Sequence, residues 1–102
     1  MRTTISARHV NVDASLRSRA TQVLERLGNI SSRAVEATAV FDTVAGQPAA
    51  ELRLHCAGRP MLVAGADGLE HRSALDKAEA RMKRQLARVA NRPRAARHPD
   101  LG

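Results

Sequence analysis

The chain has 102 residues and a formal charge of +7, from 17 Lys and Arg against 10 Asp and Glu. This length suits one compact domain with a single core, and the charge predicts an anionic partner without indicating a particular fold. Phe41 is the only residue among Phe, Tyr and Trp, which argues against a nucleic-acid interface that stacks bases on a platform of exposed aromatic rings.

The same composition limits the compartment. No apolar run approaches the roughly 20 residues of a membrane-spanning helix, and the N-terminus lacks the apolar middle region of a secretion signal. Cys56 is the only cysteine, so neither an intramolecular disulfide nor a multi-cysteine zinc site is available. We therefore expect a cytoplasmic protein with no membrane partner.

The first half of the chain predicts a strand, a helix and a second strand. Residues 2–8 alternate between apolar and polar, as in a half-buried strand. Asp13 is a candidate helix N-cap, and apolar residues follow at helical spacing until Gly28, where we expect the helix to end. Residues 33–43 return to the alternating pattern and predict a strand whose core face is formed by Val35, Ala37, Ala39 and Phe41.

The second half predicts two more strands and a long helix. Residues 45–48 and the pair Gly58 and Arg59 are typical of turns, and they bound a strand in which Leu52, Leu54 and Cys56 share one face. Residues 60–66 predict the fourth strand, and a helix should run from about residue 69 to about residue 91. The order β-α-β-β-β-α favours an α+β fold, like that of double-stranded RNA-binding domains, with both helices on one face of a four-stranded sheet.

The long helix carries the clearest functional pattern. At about 100° per residue its basic side chains fall within one strip about 80° wide, separate from its apolar strip. We call this strip the cationic rail; it consists of Lys77, Arg81, Arg84, Arg88 and Arg92. Asp76 and Glu79 lie on a third side of the helix, where we expect them to pair with Arg72 and Lys83. The rail itself should have no acidic partner, and it is our first candidate for a phosphate-binding surface.

Other basic residues are secondary candidates. Arg17, Arg19 and Arg26 lie off the apolar stripe of the first helix and could extend the cationic surface, although solubility alone would explain them. Arg53 and His55 should be exposed strand residues on the open sheet face. From residue 93 to residue 102 the sequence has no periodicity and contains two prolines. We expect residues 1–92 to form the single domain and residues 93–102 to form a mobile basic tail.

Residues 2–92 resemble the ribosome hibernation-promoting factor and ribosome-associated inhibitor family. The likeness lies in the opening TISARHVNVDASLRSRATQVLERL and above all in HRSALDKAEARMKRQLARVANR. It implies a partner, the small ribosomal subunit with its 16S-type RNA, and inhibition of translation at the decoding region during starvation or stationary phase. It also implies an RNA-contact role for Arg8 and His9, where the family's basic pair lies.

The sequence departs from the family pattern in three respects. It has Ala7 where members usually have glycine, His71 and Arg72 where members have an aromatic residue, and arginines where members have lysines. Arginine keeps the charge and favours bidentate phosphate contact. The sequence also stops near residue 102, without the dimerising domain of long-form members, so we expect that it does not pair ribosomes by that route.

Nothing in the sequence indicates an enzyme. The four histidines are dispersed without a second ligand type at metal spacing, and no acidic pair suggests acid and base roles. We therefore expect no catalytic residues, no metal, no cofactor and no small-molecule substrate. Two alternatives remain: a general double-stranded RNA-binding module that reads A-form shape, and a regulatory domain that binds an acidic protein partner.

Overall fold

The computed structural model describes residues 1–31 and 33–91. Their elements follow the predicted order: β1 (Arg2–Ala7), α1 (Ala14–Ile30), β2 (Ala34–Val44), β3 (Gln47–Cys56), β4 (Leu62–Asp67) and α2 (His71–Asn91). Arg92 and the predicted tail, residues 93–102, lie outside the described residues, so the tail stays a prediction.

The four strands form one mixed sheet in the order β1-β2-β3-β4, in which β1 is parallel to β2 and the other pairs are antiparallel. Strands β1, β2 and β4 therefore point the same way, and both helices begin at the end of the sheet where these strands finish. Helix α1 packs on β1 and β2, and helix α2 packs on β3 and β4. The predicted fold class, with two helices on one sheet face, is confirmed.

The core lies between the helices and the sheet and is almost entirely aliphatic. Phe41 supplies its one phenyl ring and is fully buried in β2. Alternate residues of the strands face the helices, as a period of two requires. The largest fully buried side chains are Val23, Leu24, Leu27, Phe41, Leu52, Leu54, Leu75 and Met82.

A two-residue loop joins β2 to β3. Ala45 and Gly46 both have positive φ, 53° and 79°, which is the backbone required by the tight hairpin turn that matches the twist of the flanking strands. Val44 pairs with Gln47 across this loop, and Pro48 already belongs to β3. The turn is therefore narrower than the four residues predicted from the sequence.

The predicted end of α1 is wrong. Helix α1 does not end at Gly28; it continues to Ile30 and is capped by Ser31. Gly28 instead leaves room for the side chain of Met1, since a Cβ there would collide with the thioether.

Val35 does not join the core face of β2. The pairing of β2 with β3 shifts register between Ala34 and Glu36, which inserts one extra residue and changes the side to which the start of the strand points. Val35 is consequently 45 % exposed, while Ala34 packs against the core.

We predict that Phe41→Ala destabilises the fold by about 3–5 kcal/mol, because it removes a fully buried ring and leaves a cavity. Chemical denaturation measures the change. Val44→Ala at the exposed end of the same strand (Val44 is 57 % exposed) is the control and should cost less than about 0.5 kcal/mol. A loss for Phe41→Ala as small as that of the control would contradict the burial described for this ring.

Candidate nucleic-acid interface

The described part of the cationic rail lies on the solvent side of α2. Lys77, Arg81, Arg84 and Arg88 are all exposed, and none of them lies within 4 Å of a carboxylate of residues 1–31 and 33–91. They extend over about 16 Å of helix axis at 1.5 Å per residue. The rail is thus a line of positive charge without acidic partners in the described chain; Arg92, its last predicted member, lies outside that range.

Two members of the rail also contact the edge of the sheet. Lys77 Nζ donates to the carbonyl oxygen of Asp67 at 3.3 Å, and Arg81 Nη1 donates to the carbonyl oxygen of Gly65. One turn further along, Gln85 Nε2 donates to the carbonyl oxygen of Val63 at 2.8 Å. Carbonyl oxygens are neutral, so these bonds orient Lys77 and Arg81 without cancelling their charge.

The acidic side of α2 faces α1. Arg26 donates through Nε and Nη2 to the two carboxylate oxygens of Glu79, at 3.0 and 3.1 Å. Lys83 lies 3.6 Å from the same carboxylate, and Arg19 donates to Asp76 at 3.0 Å. Glu79 is only 7 % exposed, and its hydrogen bond with Arg26 raises the pKa of that guanidinium.

These ion pairs correct two sequence-based predictions. Arg19 and Arg26 do not extend the cationic surface, because their charges are matched by Asp76 and Glu79. Asp76 pairs with Arg19 rather than with Arg72, while the predicted pairing of Glu79 with Lys83 is present. Sequence periodicity could not reveal pairs that join different helices, since it reports only which residues share a face of one helix.

Arg8 and His9 lie just after β1. Strands β1 and β4 are the opposite edges of the sheet, and three inter-strand spacings of about 4.8 Å separate them. His9 has a left-handed backbone, with φ 61°, and its Nδ1 lies 3.3 Å from Asp42 Oδ1. The structure therefore places His9 beside Asp42, whereas Arg8 lines a shallow pocket together with Glu51 of β3 and Gly65 of β4.

Asp42 is held in its charged form at this corner. The backbone N–H of Thr43 donates to its Oδ1 at 2.7 Å, and His9 contacts the same oxygen. The Thr43 bond first, and the His9 contact second, lower the pKa of Asp42 below its ordinary value.

Two ion pairs lie on the open face of the sheet. Arg53 pairs with Glu51 at 2.8 Å, and Arg2 pairs with Glu36 at 3.6 Å. Arg53 and His55 are half-buried on this face rather than projecting freely. A phosphate backbone would therefore find less unmatched charge on the open sheet face than along α2.

Two other kinds of site have no support in residues 1–31 and 33–91. They contain no cluster of three or more His, Cys, Asp or Glu side chains placed to bind a metal ion. None of their helices combines the length and the apolar character that crossing a membrane requires.

Comparison with known proteins identifies the family. The model of the family described as "Sigma 54 modulation protein / S30EA ribosomal protein" matches residues 3–94, almost the whole chain. The chain belongs to this family. The resemblance noted from the sequence, to ribosome hibernation-promoting factors, is confirmed. No curated protein matches the chain.

Solved structures share the fold of this S30EA family member at low sequence identity. A ribosomal subunit interface protein from Coxiella burnetii superposes with a TM-score of 0.81 at 14 % identity, covering 90 % of this chain and all of that one. The N-terminal domain of Protein Y from Thermus thermophilus has a TM-score of 0.74 at 19 % identity, covering 87 % of this chain and 99 % of that one. At such identities the likeness establishes the fold alone.

His71 lies where the sequence comparison led us to expect an aromatic residue, just before Ala74-Leu75-Asp76 of α2. The imidazole of His71 contacts the ring of Phe41 edge to face, with centroids 6.0 Å apart. Its Nε2 lies 2.9 Å from the carbonyl oxygen of Asp42. His71 thus provides a ring that packs on the core and a polar atom that ties α2 to β2.

We predict that Arg26 and Glu79 are coupled by about 1–2 kcal/mol in a double-mutant cycle with Arg26→Gln and Glu79→Gln, because the pair is bidentate and the Glu79 carboxylate is buried. The unfolding free energies of the wild type, both single variants and the double variant give the coupling. The exposed pair of Arg2 and Glu36 is the control and should couple by less than about 0.5 kcal/mol. Equal coupling in the two cycles would refute a special role for Glu79.

Proposed function

We propose that this protein binds the small ribosomal subunit through phosphates of its 16S-type RNA and inhibits translation by occupying the channel of mRNA and tRNA. The observation that carries the proposal is the cationic rail, a row of exposed cations without acidic partners in the described chain, on the fold of the S30EA family. A solved neighbour named as a ribosomal subunit interface protein adds support. We further propose that it acts in the cytoplasm during starvation or stationary phase.

The chemistry of the rail favours contacts to phosphate over contacts to bases. Arg81, Arg84 and Arg88 have planar guanidinium groups that bind phosphate oxygens in pairs, and they stay charged at any physiological pH. The chain has only one Phe, Tyr or Trp, and Phe41 is buried, so stacking on exposed phenyl or indole rings is not available. Shape and phosphate position would therefore select the site on the RNA.

The mechanism needs only occupancy. A rigid α/β domain that lies in the mRNA and tRNA channel excludes both ligands, and no bond has to be made or broken. Arg8 and His9, which follow β1, would add contacts from a second element of the fold. Contacts from two elements would fix the orientation of the domain better than a single charged row.

The first test neutralises the two members of the rail that make no other contact. Arg84 and Arg88 have no hydrogen bond or ion pair among residues 1–31 and 33–91, so Arg84→Gln with Arg88→Gln removes charge without breaking such a contact. Each lost phosphate contact reduces the slope of log affinity against log salt by about 0.7–0.9, and we expect a total reduction of about 1.5. Co-sedimentation with small subunits across a salt series measures this slope.

The matched control for this test removes the same charge elsewhere. Arg17→Gln with Arg59→Gln also neutralises two exposed arginines, one on α1 and one in the turn between β3 and β4, and it should leave the slope nearly unchanged. If both double variants lose the same slope, net charge rather than the rail governs binding. If neither loses any, the rail is not the contact surface. Preferential binding to an isolated RNA duplex over subunits would instead favour the general RNA-binding alternative.

The second test addresses the position on the ribosome. We predict that small subunits already loaded with mRNA and tRNA bind the protein at least about tenfold more weakly than empty subunits, since the ligands would share one channel. Co-sedimentation at fixed salt with both preparations measures this ratio. Equal affinity for loaded and empty subunits would place the protein elsewhere and remove the steric mechanism, even if the rail contributes to binding.

A further inference from the structure

Strand β4 is an edge strand, and its outward carbonyl oxygens accept hydrogen bonds from side chains of α2. Residues 62, 64 and 66 share the face that packs on the helices, while the carbonyl oxygens of Val63, Gly65 and Asp67 point away from β3 and accept bonds from Gln85, Arg81 and Lys77. We call Lys77, Arg81 and Gln85 the edge row. Each of the three outward carbonyl oxygens between residues 63 and 67 accepts a hydrogen bond from one member of the edge row.

The match between helix and strand has a geometric cause. Four residues advance a helix by about 6 Å, and two residues advance a strand by about 6.6 Å. Helix α2 runs opposite to β4, so Lys77, Arg81 and Gln85 meet Asp67, Gly65 and Val63 in reverse order. The near equality of the two steps keeps three successive bonds in register along the edge.

The strand has no protection of its own between its first residue and Ala66. From Met61 to Ala66 the sequence is Met-Leu-Val-Ala-Gly-Ala, without a charge or a proline. Met61 and Val63 are 52 % and 44 % exposed. Natural proteins blunt such edges with lysine, proline or a bulge in the strand itself; here the only charge is Asp67 at its end.

We propose that the edge row prevents β4 from pairing with β4 of a second copy of this chain. Antiparallel pairing of two such edges would use the same outward groups on both chains, so one two-fold axis would complete it. The exposed side chains of Met61 and Val63 would then meet their counterparts across the new pair. This proposal does not depend on RNA binding, and the two can fail separately.

The edge row could act by charge repulsion or by occupying the carbonyl oxygens of the edge, and Gln85 separates these two effects. Lys77 and Arg81 bring charge that repels a second copy, whereas Gln85 is neutral and can act only by occupying the carbonyl oxygen of Val63. An effect of charge alone would therefore be the same for Arg81 as for Arg84, which makes no contact with β4 in the described chain. An effect of edge coverage would be specific to Arg81 and Gln85.

The test compares two variants of equal composition. Arg81→Met with Gln85→Leu uncovers the edge, while Arg84→Met with Gln22→Leu removes one exposed arginine and one exposed glutamine that have no bond to β4. Both retain good helix-forming residues. Sedimentation velocity over a concentration series should show a monomer of 11.0 kDa for the wild type and the control. The edge variant should dimerise with an association constant at least about tenfold above that of the control.

Two further measurements locate the contact. In the dimer, the backbone amides of Val63 and Gly65 should exchange with solvent more slowly than in the monomer, because they enter a new ladder. Adding Val63→Lys, whose side chain lies on the exposed face of β4, should restore the monomer by placing a charge in the edge itself. The proposal is overturned if the edge variant sediments like the control, if these amides stay unprotected in the dimer, or if Val63→Lys leaves association unchanged. Gln85→Leu alone should give the same association to a smaller degree.

Discussion

The arrangement of charge in this domain depends on the buried carboxylate of Glu79. A carboxylate that is only 7 % exposed must be paired, because an isolated buried charge is costly, and Glu79 is paired with Arg26 across the helix interface and with Lys83 on its own helix. Asp76 repeats the arrangement with Arg19. The acids of α2 are thereby turned toward α1. The opposite side of α2 is left with cations alone, which is the condition for a phosphate-binding surface.

Helix α2 consequently has three faces, each with different surroundings. Leu75, Ala78 and Met82 face the sheet, Asp76 and Glu79 face α1, and the rail lies beside the outer edge of β4. Each face constrains the other two, because a rotation of the helix that improved one contact would break the rest. The charged surface is therefore as well defined in position as the core on which the helix packs.

The sequence predicts the elements well because their signals are local. Alternation over β2 and β3, the N-cap at Asp13 and the long 3.6-residue pattern of α2 depend only on neighbouring residues. The shift that exposes Val35 arises from pairing with β3, and the side chain for which Gly28 leaves room is that of Met1. Neither partner is near in sequence, so no local pattern could indicate them.

The candidate surface likewise has features that local sequence predicts and features that depend on distant contacts. Periodicity places Lys77, Arg81, Arg84 and Arg88 on one strip, and the structure places them there. Periodicity could not show that Arg19 and Arg26 form ion pairs with Asp76 and Glu79 of the other helix. Nor could it single out Gln85, whose bond to Val63 requires α2 to lie along the edge of β4. Knowledge of the topology, added to the helical spacing, would have been enough to suggest that contact.

Binding a phosphate should cost different amounts of free energy at different members of the rail. Arg84 and Arg88 are exposed and make no bond in the described chain, so a phosphate that approaches them has only to displace water. Lys77 and Arg81 already donate to backbone carbonyl oxygens of β4, and a phosphate must either share these donors or replace the carbonyl oxygens. Arginine has five N–H donors, so Arg81 can keep its bond to Gly65 and still bind a phosphate through the rest. Sharing would let RNA bind while the edge of β4 stays covered. Because the bond to Gly65 already restricts the Arg81 side chain, it would lose less freedom on binding.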